Sequence, residues 1–316
     1  MADIARTPVY SYIFPGQGTQ KVGMGRSLYE RSPAAREIFG EADDSLGIHL
    51  SKLMFEGPAE DLQDTAHAQP AIMTVCIAIW KAWQEFLGPQ APEPAAVAGH
   101  SLGEYTSMVV GGVLDFRDGI RLVRERGRLM HEASETHPGS MAAIIGLDEY
   151  DVAQVALDAG VEMANINSDD QIVVSGDKMA LARAMDLASA RGAKKVVPLA
   201  VSGAFHSRLM AEAQEGLIDA IDNIRLHDPK CPVIANSTGT AIVNSEQARH
   251  ELLTGLCHCV MWKHSVRYMV DSGVNRFVEF GPARVLSSLI RRIDPDVEAL
   301  TLSDPDSIRK AGSDGC

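Results

Sequence analysis

The sequence predicts an α/β protein in which a small α+β unit is inserted into a larger parallel-sheet domain, and three observations predict it. Residues from about Ala95 to Ala98 are small and uniformly apolar, as suits a parallel strand covered on both faces, and they run straight into Gly99-His100-Ser101-Leu102-Gly103 before helical composition resumes. Between about Ser140 and Val201 the texture changes to short units in the order βαββαβ, which reads as a ferredoxin-like subdomain. Strand-like runs return beyond it, at Cys231 to Ala235 and Arg276 to Glu279. The large domain, of hydrolase-like type, is therefore assigned residues 1–138 and 203–316, and the inserted unit residues 139–202.

Taken in order, Tyr10 to Phe14 forms a first strand that stops at the turn Pro15-Gly16-Gln17-Gly18. Apolar residues then recur at helical spacing from about Ser27 to Asp44 and from Ala71 to Phe86, and the Pro-rich stretch Gly88 to Pro94 connects to the second strand. Inside the inserted unit, strands are expected at Met141 to Gly146, Val161 to Asn165, Gln171 to Ser175 and Lys195 to Leu199. Helices are expected at Asp148 to Ala159 and Lys178 to Arg191. The polar tail after Leu302 is expected to fray.

A chain of 316 residues that is 46% hydrophobic and 22% charged can bury one large core or two moderate ones. Its net charge of −13 excludes a protein whose main task is to neutralise nucleic-acid phosphates or anionic lipid. The first residues lack a basic region followed by an apolar stretch, and no apolar run reaches the ~18 residues of a membrane span, so a soluble, cytoplasmic protein is expected. Five cysteines, an odd number without framework spacing, suit a reducing compartment and no disulfide is expected. Cys257, His258 and Cys259 are adjacent, but a metal needs about four ligands and no matching pair exists, so no metal site is assigned.

Gly99-His-Ser-Leu-Gly103 matches G-x-S-x-G, the sharp strand-to-helix turn that lifts a serine hydroxyl clear of the backbone. Ser101 there faces free helix N-terminal amides, which favour the negative charge of an acyl-transfer intermediate. A serine needs a base to take its proton. His100 is adjacent to Ser101, but neighbours around a sharp turn generally point apart, so it is read as a wall of the site, whereas His49, His67, His131, His137, His227 and His250 sit in polar contexts that suit solvated surface. His206, in Ser202-Gly-Ala-Phe-His206-Ser207, lies at the exit of the inserted unit, where a loop would face the cleft between the two units. At about 100° per residue, Arg121, Arg124 and Arg128 share one helix face while Arg126 falls among Leu122, Val123, Leu129 and Met130. A guanidinium in that stripe must snorkel or meet a buried anion, because an unpaired buried charge costs several kcal/mol.

The chain resembles the malonyl-CoA:acyl carrier protein transacylase family from Tyr12 to about Leu302. The motifs that carry the resemblance are Phe14-Pro-Gly-Gln-Gly18, Gln69-Pro-Ala71, Gly99-His-Ser-Leu-Gly-Glu104, Arg126-Gly127, Asn165 to Gly176, Gly203-Ala-Phe-His206, Trp262 and Glu279-Phe-Gly-Pro282. The resemblance implies Ser101 as nucleophile, His206 as base, backbone amides of Gln17 and Leu102 as oxyanion hole, and Arg126 as bidentate partner of the malonyl carboxylate. Phe205, His100, Gln69 and Asn165 are the remaining substrate-binding residues it implies, with a bulky Phe205 favouring malonyl over methylmalonyl.

Two departures stand out: Gly255 where the family usually has Gln, and Cys259 where it usually has Pro. The histidine must then be oriented by the Gly255 carbonyl or by another group such as Asn165 or Asn167. The implied reaction is ping-pong malonyl transfer from malonyl-CoA to an acyl carrier protein by a monomer, without metal or cofactor and with no nucleic-acid or membrane partner. An acidic carrier would dock on Lys194, Lys195, Arg284, Arg291 or Arg292. The competing readings are a trans-acting polyketide synthase acyltransferase, an acyl hydrolase of the same fold and a catalytically silent docking subunit.

Overall fold

The computed structural model describes residues 7–313; residues 1–6, judged above for a leader segment, and Cys316 lie outside them. Among the described residues, ten strands form two sheets. β1 (Tyr10–Phe14), β2 (Ala96–Gly99), β7 (Val233–Ile234), β8 (Ala241–Ile242), β9 (Arg276–Phe280) and β10 (Glu298–Leu302) make the larger one. β3 (Gly139–Ile145), β4 (Glu162–Ser168), β5 (Gln171–Asp177) and β6 (Lys195–Pro198) make the smaller.

The large sheet has the order β10-β9-β1-β2-β7-β8 and is parallel except for β8. β1 and β2 sit at its centre, and every residue of both is buried. Their side chains alternate between two cores: Tyr12, Phe14 and Val97 face one, Ile13, Ala96 and Ala98 the other. Burial on both faces explains why these strands lack polar alternation. The small antiparallel sheet has the order β4-β5-β3-β6, with helices Glu149–Ala159 and Lys178–Ala190 closing a third core against it. That is the ferredoxin-like arrangement.

The two units are stitched together beside β4. Ile166 N donates to Val260 O at 2.9 Å and Val260 N donates to Ala164 O at 2.8 Å, so the segment before Trp262 pairs with the edge of the small sheet. Salt bridges span the same seam, from Lys263 to Glu149 (2.9 Å), Arg267 to Asp169 (2.8 Å) and Arg292 to Asp170 (2.7 Å).

Helices Thr65–Leu87 and Phe116–Thr136 pack across the sheet. A Cβ at Gly127 would lie 2.4 Å from Thr65 O, so only glycine lets the second helix meet the start of the first. The helical stretch expected from Ser27 to Asp44 is two helices, Arg26–Arg31 and Pro33–Leu46. Ser32 breaks it: its extended backbone and its hydroxyl, which accepts from Ala35 N at 3.1 Å, cap the second helix, and Pro33 at the first helical position cannot continue the first. The expected frayed tail is corrected too. Residues Pro305–Ser313 are helical, because Ile308 is buried against the core and Asp304 accepts from Asp306 N and Ser307 N at 2.9 and 2.8 Å.

Glu279, from the Glu-Phe-Gly-Pro motif, is fully buried at the end of β9. Its carboxylate accepts from Val285 N, Leu286 N and Ser287 N at 2.9–3.0 Å, and from Ser287 Oγ at 2.7 Å. One side chain thereby satisfies the amides at the start of helix Leu286–Ile293. Each buried group left unpaired costs about 1–3 kcal/mol, so Glu279→Ala should lower stability by about 3 kcal/mol or more, measured by urea unfolding. Glu279→Gln should cost less, since its amide oxygen still accepts.

Candidate active site

β2 ends at Gly99 and helix Leu102–Val110 begins with only two residues between them, which forces Ser101 into φ 54°, ψ −108°. Positive φ on a non-glycine residue is strained and survives only where the surroundings hold it. A Cβ at Gly103 would lie 1.9 Å from Phe14 O, so the helix docks on the end of β1 through a bare backbone. His100 N completes the dock by donating to Phe14 O at 3.0 Å.

His206 also has positive φ, 56°, and is buried. Its Nε2 lies 2.8 Å from Ser101 Oγ. Its Nδ1 lies 3.2 Å from Gly255 O and 3.0 Å from His258 O. Two carbonyls can only accept, so Nδ1 carries the proton and Nε2 is bare toward the serine hydroxyl. The question raised by Gly255 thus has a backbone answer: its own carbonyl, helped by that of His258, orients the ring. Asn165 and Asn167 do not. Asn165 lines the cavity, and Asn167 Oδ1 lies 2.9 Å from His100 Nε2.

Burial pushes His206 down to about 3, reinforced by the Arg126 cation and by His100, so the ring is neutral across ordinary pH. Cys259, at the second departure, is half-buried beside the Val260 pairing, and burial raises its thiol to about 12, leaving it inert.

Arg126 is 3% exposed, on the buried stripe of helix Phe116–Thr136. Nη1 donates to Gln69 Oε1 at 2.7 Å, Nη2 donates to Ser101 Oγ at 3.1 Å, and the guanidinium lies 5.2 Å from the centre of the Tyr105 ring. Nε is buried without a hydrogen-bond partner. Among the described residues no carboxylate lies within ion-pair distance, so the buried cation is met only by neutral groups. Gln69, expected to touch substrate, is fully buried behind Arg126 instead and holds it; its Nε2 lies 3.3 Å from Met130 Sδ.

These groups share one cavity of about 680 Å³, lined by Gln17, His100, Ser101, Leu102, Arg126, Asn165, Phe205 and His206. Leu102 is the first residue of its helix, so its amide has no intrahelical acceptor. Gln17 lies across the mouth on the loop after β1, tethered by Nε2 donating to Thr65 Oγ1 at 3.2 Å. Nothing in the sequence singled out Asn236. Its Oδ1 accepts from Ser101 N at 2.7 Å and its Nδ2 donates to Gly99 O at 2.6 Å, while its own N donates to Glu104 Oε1 at 2.7 Å. The only sequence signal was its place just after a strand of the large sheet.

A strained serine under a neutral histidine, within reach of a buried cation, on an open parallel sheet defines the class of α/β acyl-transfer enzymes. Comparison with known proteins agrees: the acyl transferase domain model matches residues 11–309. Malonyl CoA-acyl carrier protein transacylase of Bacillus subtilis (strain 168) is 40% identical over 306 residues, 95% of each chain. That of Escherichia coli (strain K12) is 39% identical, covering 96% of this chain and 98% of its own. Among solved structures, a malonyl-transacylase in complex with its type II PKS acyl-carrier protein superposes with a TM-score of 0.93 at 38% identity, covering 97% of this chain and 100% of its own. The Coxiella burnetii malonyl CoA-acyl carrier protein transacylase gives 0.92 at 37% identity, covering 96% of each. The chain belongs to the malonyl CoA-acyl carrier protein transacylase family of acyl transferases.

Because the base stays neutral down to about pH 3, kcat/KM for acylation by a CoA thioester should run level from about pH 8 to about pH 5, with no acid limb near the ordinary histidine value of ~6.5. Stability has the opposite sensitivity. The unfolded chain binds that proton near pH 6.5 and the folded chain does not, so stability should fall as pH drops below about 6.5. Removing the cation in Arg126→Ala should shift any acid limb upward, as a pH–rate profile would show.

Proposed function

We propose that this protein moves a malonyl group from malonyl-CoA to the phosphopantetheine thiol of an acyl carrier protein, through a malonyl ester on Ser101. The observation that carries this reading is the buried Arg126 guanidinium. It sits one hydrogen bond from Ser101 Oγ, has no anion of its own, and has a free Nε. A carboxylate two bonds beyond the reacting carbonyl would supply the missing charge as a bidentate pair, which adds both energy and geometry.

In the first half-reaction Ser101 Oγ attacks the thioester carbon while His206 Nε2 takes its proton, which the Nδ1–H tautomer permits. The oxyanion forms toward the amides of Gln17 and Leu102. The C–S bond then breaks, and His206 returns the proton to the CoA sulfur. The second half-reaction repeats these steps with the carrier thiol as nucleophile. The chain's own residues account for each proton, with no step assigned to a metal or cofactor.

All five candidate docking cations are exposed, but Arg292 is paired with Asp170 and Arg291 donates to Ala299 O, which favours Lys194, Lys195 and Arg284. These three are the docking groups we favour. Transfer to a fatty-acid or a polyketide carrier uses the same chemistry, by a chain acting as a monomer in the cytoplasm, where its thiols stay reduced.

Intact-mass measurement after mixing with malonyl-CoA should show one malonyl group added, and none in Ser101→Ala. An unmodified wild-type mass would sink the proposal. Arg126→Ala should lose malonyl transfer by a factor of about 100 or more while accepting neutral acyl groups, since only the charged substrate uses the cation. Phe205 lines the acyl cavity, so Phe205→Ala should improve methylmalonyl relative to malonyl by roughly 10- to 200-fold in kcat/KM, the range one methyl group is worth.

A further inference from the structure

We infer that Asn236 is the positioning residue of the nucleophile turn, and that Glu104 and Glu251 beneath it hold it in place. The inference rests on Ser101 as the acylated hydroxyl. β2 and β7 pair in parallel only as far as Ala98 and Ile234. Beyond that point the backbone leaves the sheet to form the elbow. The Asn236 amide takes over where the ladder ends: its Oδ1 accepts the Ser101 N–H and its Nδ2 donates to Gly99 O. A side-chain amide has one acceptor and one donor in the same plane, as a peptide does, so it continues the ladder across the bend. Because the Ser101 amide is spent on Asn236, the elbow has only the Leu102 amide to offer an oxyanion.

Asn236 and Ser237 rest in turn on two buried carboxyl groups. Glu104, from helix Leu102–Val110, accepts from Asn236 N at 2.7 Å. Glu251, from helix Ser245–Thr254, accepts from Ser237 N at 2.8 Å and from Ser237 Oγ. The two glutamates are 4% and 3% exposed. Burial and the neighbouring Glu251 raise Glu104 well above the carboxylate range, while Arg126 across the layer opposes this. A neutral Glu104 matches a glutamine in shape and in hydrogen-bond pattern.

The test is the rate of Ser101 acylation in single-turnover mixing with malonyl-CoA, followed by intact mass. Asn236→Asp keeps the size and the acceptor for Ser101 N but, when ionised, cannot donate to Gly99 O. Its acylation rate should fall about 100-fold at pH 8, the scale of a 1 Å misplacement, and recover as pH falls toward 5 and the new carboxyl gains a proton. The wild type should stay level over that range. Malonyl-CoA affinity, measured in a Ser101→Ala background, should be the same with and without Asn236→Asp. Glu104→Gln should acylate at close to the wild-type rate, and Glu104→Ala should not. An Asn236→Asp rate that matches wild type, or one that is reduced equally at pH 8 and pH 5, overturns the positioning role. If wild type itself forms no malonyl-Ser101, the proposed function fails instead.

Discussion

Among the described residues no negative partner meets the positive charge buried at Arg126, and the rest of the site is arranged around that constraint. A charge in this position is tolerable only if neutral dipoles surround it and an anion arrives to complete it. Gln69 supplies one dipole and the Ser101 hydroxyl another, while the Tyr105 ring offers its face. The cation also acts on the base. Burial, reinforced by that cation, keeps His206 neutral, so its ring is unprotonated before any substrate arrives.

The second constraint is mechanical. Ser101 and His206 both adopt backbone conformations that residues with a Cβ resist, and neither would stay there unaided. Ser101 is held from three sides: by the bare Gly103 backbone against β1, by His100 N on Phe14 O, and by the Asn236 amide. The ring of His206 is held by two carbonyls on the segment running from Gly255 to His258. Two residues later that same segment pairs with β4 of the small sheet through Val260. The inserted unit therefore does more than wall the cavity with Asn165. Its edge strand fixes the loop that fixes the base, and the salt bridges of Lys263, Arg267 and Arg292 fasten the two units along the same seam.

Much of this was legible in the sequence because it is written in local rules. An apolar strand broken by glycine and followed by a helix announces an elbow, and a lone arginine in an apolar stripe announces a buried charge. The alternation of short strands and helices between residues 139 and 202 announces a separate small sheet. Two local readings failed where a single contact outweighed composition. Ser32 with Pro33 split a helix that periodicity made continuous, and burial of Ile308 ordered a tail whose polarity suggested fraying.

By itself the sequence determined the class of fold and pointed to the serine, the histidine and the cation, since each depends on residue type and on spacing along one element. Tertiary structure alone decided which groups serve them. Gln69, implied by the resemblance to touch substrate, supports Arg126 from behind, the His206 ring found its acceptors in the backbone of Gly255 and His258, and Asn236 was recruited from a different strand 135 residues beyond Ser101. Carbonyl groups exist at every residue and an asparagine after a strand is commonplace. Their roles come from where the chain brings them together in space, which no pattern along it records.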